Sequence, residues 1–110
     1  MSDLSTVEGL VERRDEVQIV DVREQDEWDA GYVEGSVHIP LNALLAGTDE
    51  GIVPGKPIVA VCRSGQRSEV AALMLRARGH DAHNLEGGLE AWQTQGLPLT
   101  TPQGAEGRVA

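Results

Sequence analysis

A chain of 110 residues, 40% of them hydrophobic, is the size of one soluble domain with one modest core. Nine basic residues against eighteen acidic ones leave a net charge of −9, which disfavours nucleic acid and anionic membrane surfaces as partners. A single cysteine excludes an internal disulfide and a cysteine-based metal cluster.

Ser5-Thr6-Val7-Glu8 reads as a capping box, and Val7, Leu10 and Val11 follow at helical spacing, predicting a helix from Thr6 to about Arg14. The β-branched run Val17-Gln18-Ile19-Val20-Asp21-Val22 predicts a buried strand. Glu24 to Ala30 is a short acidic helical stretch stopped by Gly31. Val37-His38-Ile39 precedes Pro40 and is read as a short strand, because the residue before proline is pushed to extended geometry. Leu41 to Leu45 offers one or two helical turns, and Gly47 to Gly55 is a polar connection that needs no special role.

Ile58-Val59-Ala60-Val61 is apolar throughout and predicts a central strand. After Cys62-Arg63-Ser64-Gly65-Gln66-Arg67-Ser68 comes the clearest helix, with Val70, Leu73, Met74 and Ala77 read as its inner face and Gly79 as its stop. Asp81 to Leu85 is a fourth strand, and Gly87-Gly88 turns into a last helix over about Leu89 to Gln95. The polar tail, residues 100–110, has no period and is expected to fray. Alternating strands and helices predict one α/β domain: a small, open, mostly parallel sheet with helices on both faces, its core over about residues 5–99. In a chain without Phe, Trp28 and Trp92 are expected to anchor the core. No apolar run approaches the ~20 residues that cross a bilayer. Met1 to Ser5 has no basic stretch leading into an apolar one, so a cytoplasmic setting is expected.

Chemistry points to Cys62. It follows a central strand and precedes a helix N-terminus, the place where open parallel sheets bind ligands. There the helix dipole, the inward N–H groups of Ser64 to Ser68, and Arg63 and Arg67 all favour the thiolate, the nucleophilic form. No histidine base is needed. Gly65 allows the tight turn. Arg63 and Arg67 are a local positive site in an acidic protein, which predicts a small anionic ligand. His80 and His83 flank a turn rather than one helical face, so no metal or other cofactor is expected.

Cys62 to Ser68 resembles the active-site loop of the rhodanese family of sulfurtransferases. The likeness extends to Asp21-Val22-Arg23, Glu27 and Gly31 to Pro40, and to Leu85-Glu86-Gly87-Gly88 followed by Trp92. Tyr32 and Ser36 depart from the residues many members carry, His and Ala, at positions read as structural. The resemblance implies that Cys62 is the catalytic nucleophile, with Arg63, Ser64, Gly65, Gln66, Arg67 and Ser68 binding the substrate. It implies a ping-pong transfer of sulfane sulfur from thiosulfate or a similar donor, through a Cys62 persulfide. The acceptor is cyanide or a thiol, a thioredoxin-like protein among the candidates. Asp21 and Arg23 are read as an ion-paired scaffold rather than as lining, and Gly35, Gly87 and Gly88 as turn residues.

Two other readings share the scaffold. A phosphatase or arsenate reductase would encircle an oxyanion with a C-x5-R loop, but only four residues separate Cys62 from Arg67. The shorter ring suits a sulfur atom better than a tetrahedral phosphate ester. A binding or sulfur-relay module without turnover would keep the same loop.

Overall fold

A computed structural model describes residues 3–110. Met1 and Ser2, the start of the N-terminal segment read above, lie outside the described residues. Helix α1 (Val7–Glu12) leads through a 3-10 turn (Arg14–Glu16) to strand β1 (Gln18–Asp21). Then come α2 (Gln25–Ala30), β2 (Val37–His38), α3 (Leu41–Leu45), β3 (Ile58–Val61), α4 (Gln66–Ala77), β4 (Ala82–Asn84) and α5 (Gly88–Thr94). The cap of α1 is Thr6, one residue later than the capping box implies: its side chain accepts from Gly9 N–H, while Ser5 hydroxyl turns back to Asp3.

The four strands are all parallel in the order β2-β1-β3-β4. The chain leaves β1 for one edge, then crosses back to β3 and on to the other edge. The switch between β1 and β3 is therefore where the carboxyl ends open a crevice. Every residue of β1 and β3 is buried, as central strands covered on both faces must be. Ile19, Val59 and Val61 face one way and pack with Val7 and Leu10 of α1 and Leu89 and Trp92 of α5. Val20, Ile58 and Ala60 face the other way, with Leu44 of α3 and Ala71, Ala72 and Leu75 of α4. Among the described residues, no helix is long and apolar enough to cross a membrane.

Three expectations are corrected. The inner face of α4 is Ser68, Ala71, Ala72 and Leu75, whereas Val70 and Leu73 are 46% and 57% exposed. Small alanines let the helix lie close on the sheet, and closeness rather than the bulk of Val and Leu sets its rotation. Trp92 is buried and its indole N–H donates to Pro98 O at 3.0 Å. Trp28, however, stands half-buried outside both core clusters, stacked on Tyr32 (3.8 Å between centroids) and His38 (4.6 Å). The tail does not hang free. Tyr32 and Thr100 exchange backbone hydrogen bonds at 2.9 Å, and Arg108 N–H donates to Ala30 O at 2.9 Å. A Cβ on Gly31 would come within 2.5 Å of Arg108 N, so a side chain there would evict that segment. The polar connection after α3 is also tied down: buried Gln18 donates to Val53 O and Lys56 O and accepts from Val53 N–H.

Candidate active site

Cys62 continues β3 past its last residue and is 1% exposed. Gly65, at φ +100°, reverses the chain there and starts α4. The reversal points the loop's amides inward. Gly65 N–H reaches the sulfur at 3.1 Å, Ser68 N–H at 3.4 Å and the Ser68 hydroxyl oxygen lies 3.2 Å away. Burial pushes the thiol pKa up. The hydrogen bonds from Ser68 hydroxyl and from the N–H groups of Ser68, Gly65 and Ser64 outweigh it, and Cys62 ends below an ordinary thiol. Loop N–H groups are expected in this role from the sequence, and those of Ser64, Gly65 and Ser68 take it; the Ser68 hydroxyl is an addition that residue order does not foresee.

The arginines behave differently from one another. Arg67, at the first turn of α4, makes two parallel bonds to Glu27 of α2, at 2.7 and 2.8 Å. Arg63 is 54% exposed in its side chain and pairs with the equally open Glu90 of α5 at 3.1 Å. Each guanidinium thus has a carboxylate partner from another element, which local spacing does not reveal. The causes that lower the Cys62 pKa are hydrogen bonds from Ser68, Gly65 and Ser64, and neither arginine is among them, so the expectation that Arg63 and Arg67 favour the thiolate is corrected. Ser64 and Gln66 are exposed in the loop; Ser64's N–H takes part, and Gln66 begins α4.

Glu27 is held down to about pKa 2, first by its hydrogen bonds to Arg67, with desolvation opposing and Glu24 N–H helping. A depressed folded-state value means stability that is complete above the unfolded value, near 4.5, and lost as pH falls through about 2. With Arg67 partly solvated, the pair contributes about 1–2 kcal/mol after allowance for screening. Glu27→Gln should therefore unfold at lower urea than wild type at neutral pH, and the gap should shrink steadily below pH 4. A gap independent of pH would deny the ion pair this role.

Asp21 and Arg23 end β1 beside the loop but do not open onto it. Both side chains are 0% exposed, paired at 2.8 Å, and Arg23 also donates to Gly31 O at 2.7 Å. They brace the backbone that carries α2.

Two further residues complete the seat: Asn84, which no motif singles out, and Gly88, read from the sequence as a turn residue. Asn84, last in β4, places its Oδ1 2.5 Å from the Ser68 hydroxyl oxygen and donates to Gly65 O at 3.0 Å. Gly88, at φ +60°, presses against the Cys62 and Arg63 carbonyls, which accept from Leu89 and Glu90 N–H at 2.9 and 3.0 Å. The first turn of α5 thus takes the outward carbonyls of the loop, leaving its N–H groups to face the sulfur.

At the switch point of a parallel α/β sheet, one buried cysteine lies under the inward N–H groups of the loop that leads into α4. Residues 5–95 match the rhodanese-like domain family, and the chain belongs to it. It is 33% identical over 91 residues to a sulfurtransferase of Allochromatium vinosum, covering 82% of this chain and 84% of that one. Thiosulfate sulfurtransferase GlpE of Pseudomonas syringae is 33% identical over 87 residues, 78% of this chain and 80% of that protein. Among solved structures, a rhodanese-related protein of Thermoplasma volcanium superposes with a TM-score of 0.80 at 27% identity, over 86% of this chain and 94% of that one.

Proposed function

We propose that this chain is a sulfurtransferase that carries sulfane sulfur on Cys62, taking it from thiosulfate or a similar anionic donor. The observation that carries the reading is the ring of donors drawn onto a single sulfur atom, at 3.1 to 3.4 Å. A ring that closes on Sγ itself has the size for a sulfur-borne charge. The four residues between Cys62 and Arg67 make a loop one residue shorter than the C-x5-R ring of a phosphatase. The names of the related sulfurtransferases support the same reading.

Cys62 thiolate attacks the outer sulfur of thiosulfate, and a new S–S bond forms. The old S–S bond breaks with its electron pair going to the departing sulfite. The persulfide's negative sulfur is then stabilised by loop N–H groups, as an oxyanion would be. A second nucleophile attacks that outer sulfur and regenerates the Cys62 thiolate: cyanide yields thiocyanate, and a thiol, on a thioredoxin-like protein for instance, yields its own persulfide. Arg63, the more open of the two arginines, meets the incoming anion in exchange for Glu90, while Arg67 keeps the loop fixed to α2.

Mass spectrometry after thiosulfate treatment should show the protein heavier by one sulfur atom, and cyanide should then release thiocyanate. Cys62→Ser should do neither. Wild type that takes no sulfur but hydrolyses an aryl phosphate would replace this reading with the phosphatase one. Wild type that does neither would leave a non-catalytic binding module.

A further inference from the structure

Ser68 has one hydroxyl proton and two neighbours placed to receive it. Cys62 Sγ lies 3.2 Å from its oxygen and Asn84 Oδ1 lies 2.5 Å away. The orientation of the Asn84 amide is fixed independently. Its other end faces Gly65 O at 3.0 Å, and a carbonyl can only accept, so the amide nitrogen must be there and the oxygen must face Ser68. An amide oxygen has no proton to give. Ser68 therefore donates to Asn84 or to the sulfur, never to both.

Each choice matches one charge state of the cysteine. When Ser68 donates to Asn84, its lone pair faces the sulfur and accepts an S–H, so the chain S–H to Oγ–H to Oδ1 is complete for a neutral thiol. When Cys62 ionises, the hydroxyl must turn to the sulfur, and Asn84 Oδ1 gives up its 2.5 Å partner. We propose that Asn84 is a positioning residue for the sulfur: through the Ser68 hydroxyl it holds Cys62 toward the thiol form and opposes the amides that favour the thiolate. Built on the reading of Cys62 as sulfur carrier, this gives the asparagine a purpose. A thiol kept from extreme acidity retains the nucleophilicity that attack on a donor sulfur requires, because thiolate reactivity falls as pKa falls.

The charged groups around this network are Arg67 with Glu27, Arg23 with Asp21 and Arg63 with Glu90. Asp3, Glu69, Arg76, His83 and Glu86 line a cavity together with Asn84. None of them touches Ser68 Oγ among the described contacts, so the proton's choice lies between sulfur and amide.

The test is the pH midpoint of Cys62 alkylation by iodoacetamide, measured on wild type, Asn84→Ala, Ser68→Ala and the double variant. Removing Asn84 should lower the midpoint, raising the thiolate fraction about fivefold at a fixed pH below it, the equivalent of one hydrogen bond. Ser68→Ala should raise the midpoint, and adding Asn84→Ala to it should change nothing further. An unchanged or raised midpoint in Asn84→Ala overturns the proposal, as does an effect of Asn84→Ala that persists without Ser68. The latter would assign Asn84 only to holding Gly65. Asn84→Leu, close in volume, takes the place of Asn84→Ala if the alanine variant does not fold. Wild type gives a reading that needs no variant: the infrared S–H stretch should lie below that of a free thiol, and a free-thiol frequency would overturn the proposal. Alkylation uses no thiosulfate, so a protein that never takes up sulfur can still pass or fail this test.

Discussion

Replacing Arg23 with methionine is expected to destabilise the protein by about 3–5 kcal/mol. The cause is what remains behind. Asp21 has no exposed surface, and its carboxylate accepts from Arg23 Nε, Nη2 and backbone N–H. Methionine fills the space of the guanidinium stem but leaves that carboxylate buried with one donor. Against a typical total stability of ~5–15 kcal/mol, such a loss brings the domain near its threshold. Urea unfolding followed by tryptophan fluorescence measures it. Asp21→Leu together with Arg23→Met should recover much of the loss, because the buried charge is gone. If Arg23→Met alone unfolds within about 1 kcal/mol of wild type, the pair is not the brace described here.

Gly88→Ala should disable the sulfur site while Gly55→Ala does not. A methyl group at Gly88 would lie 2.5 Å from Arg63 O and 2.6 Å from both Arg63 C and Cys62 O. These are backbone atoms of the loop itself and cannot swing aside as a flexible side chain would. At Gly55, φ is +81° and nothing lies within 4 Å, so alanine there bears only the left-handed penalty of ~1–2 kcal/mol. At Gly88 an overpacking cost of ~1–3 kcal/mol is added, giving about 2–5 kcal/mol in total. The loop must also move off the N–H groups of Leu89 and Glu90. Alkylation of Cys62 under native conditions should then slow at least about tenfold, since a retreating loop withdraws its amides and each lost pKa unit of acidity is a factor of ten. Equal effects at both glycines would mean that φ alone matters and that the close approach is incidental.

Some of this structure was readable from residue order, for a physical reason. Central parallel strands are apolar on both faces, so Ile58 to Val61 declares itself, and glycine stops mark the helix ends. The sulfur loop was readable because its donors belong to the same seven residues as the cysteine. The phase of α4 was not. Val70 and Leu73 attract a reading based on bulk, while the buried face is Ala71 and Ala72, whose small side chains let the helix approach, with Leu75 packed beside them. The tail's contacts escape residue order for a similar reason. Its binding uses backbone N–H and C=O groups against Ala30 and Tyr32, which no side-chain pattern announces. In the site, Glu27, Asn84 and Gly88 reach the loop from α2, β4 and α5. Glu27 is 40 residues from Arg67, and only tertiary folding gives it the guanidinium that was assigned to a donor anion.

That scattered origin makes the chain's single thiol a gauge of the whole molecule. The seat of Cys62 is assembled from segments that meet only when every layer has closed, and it vanishes in the unfolded chain, where the sulfur reverts to the acidity and exposure of any free cysteine. Refolding, thermal breathing and local opening of α2, β4 or α5 can all be timed from one native atom. No reporter has to be engineered, and no second thiol confuses the signal.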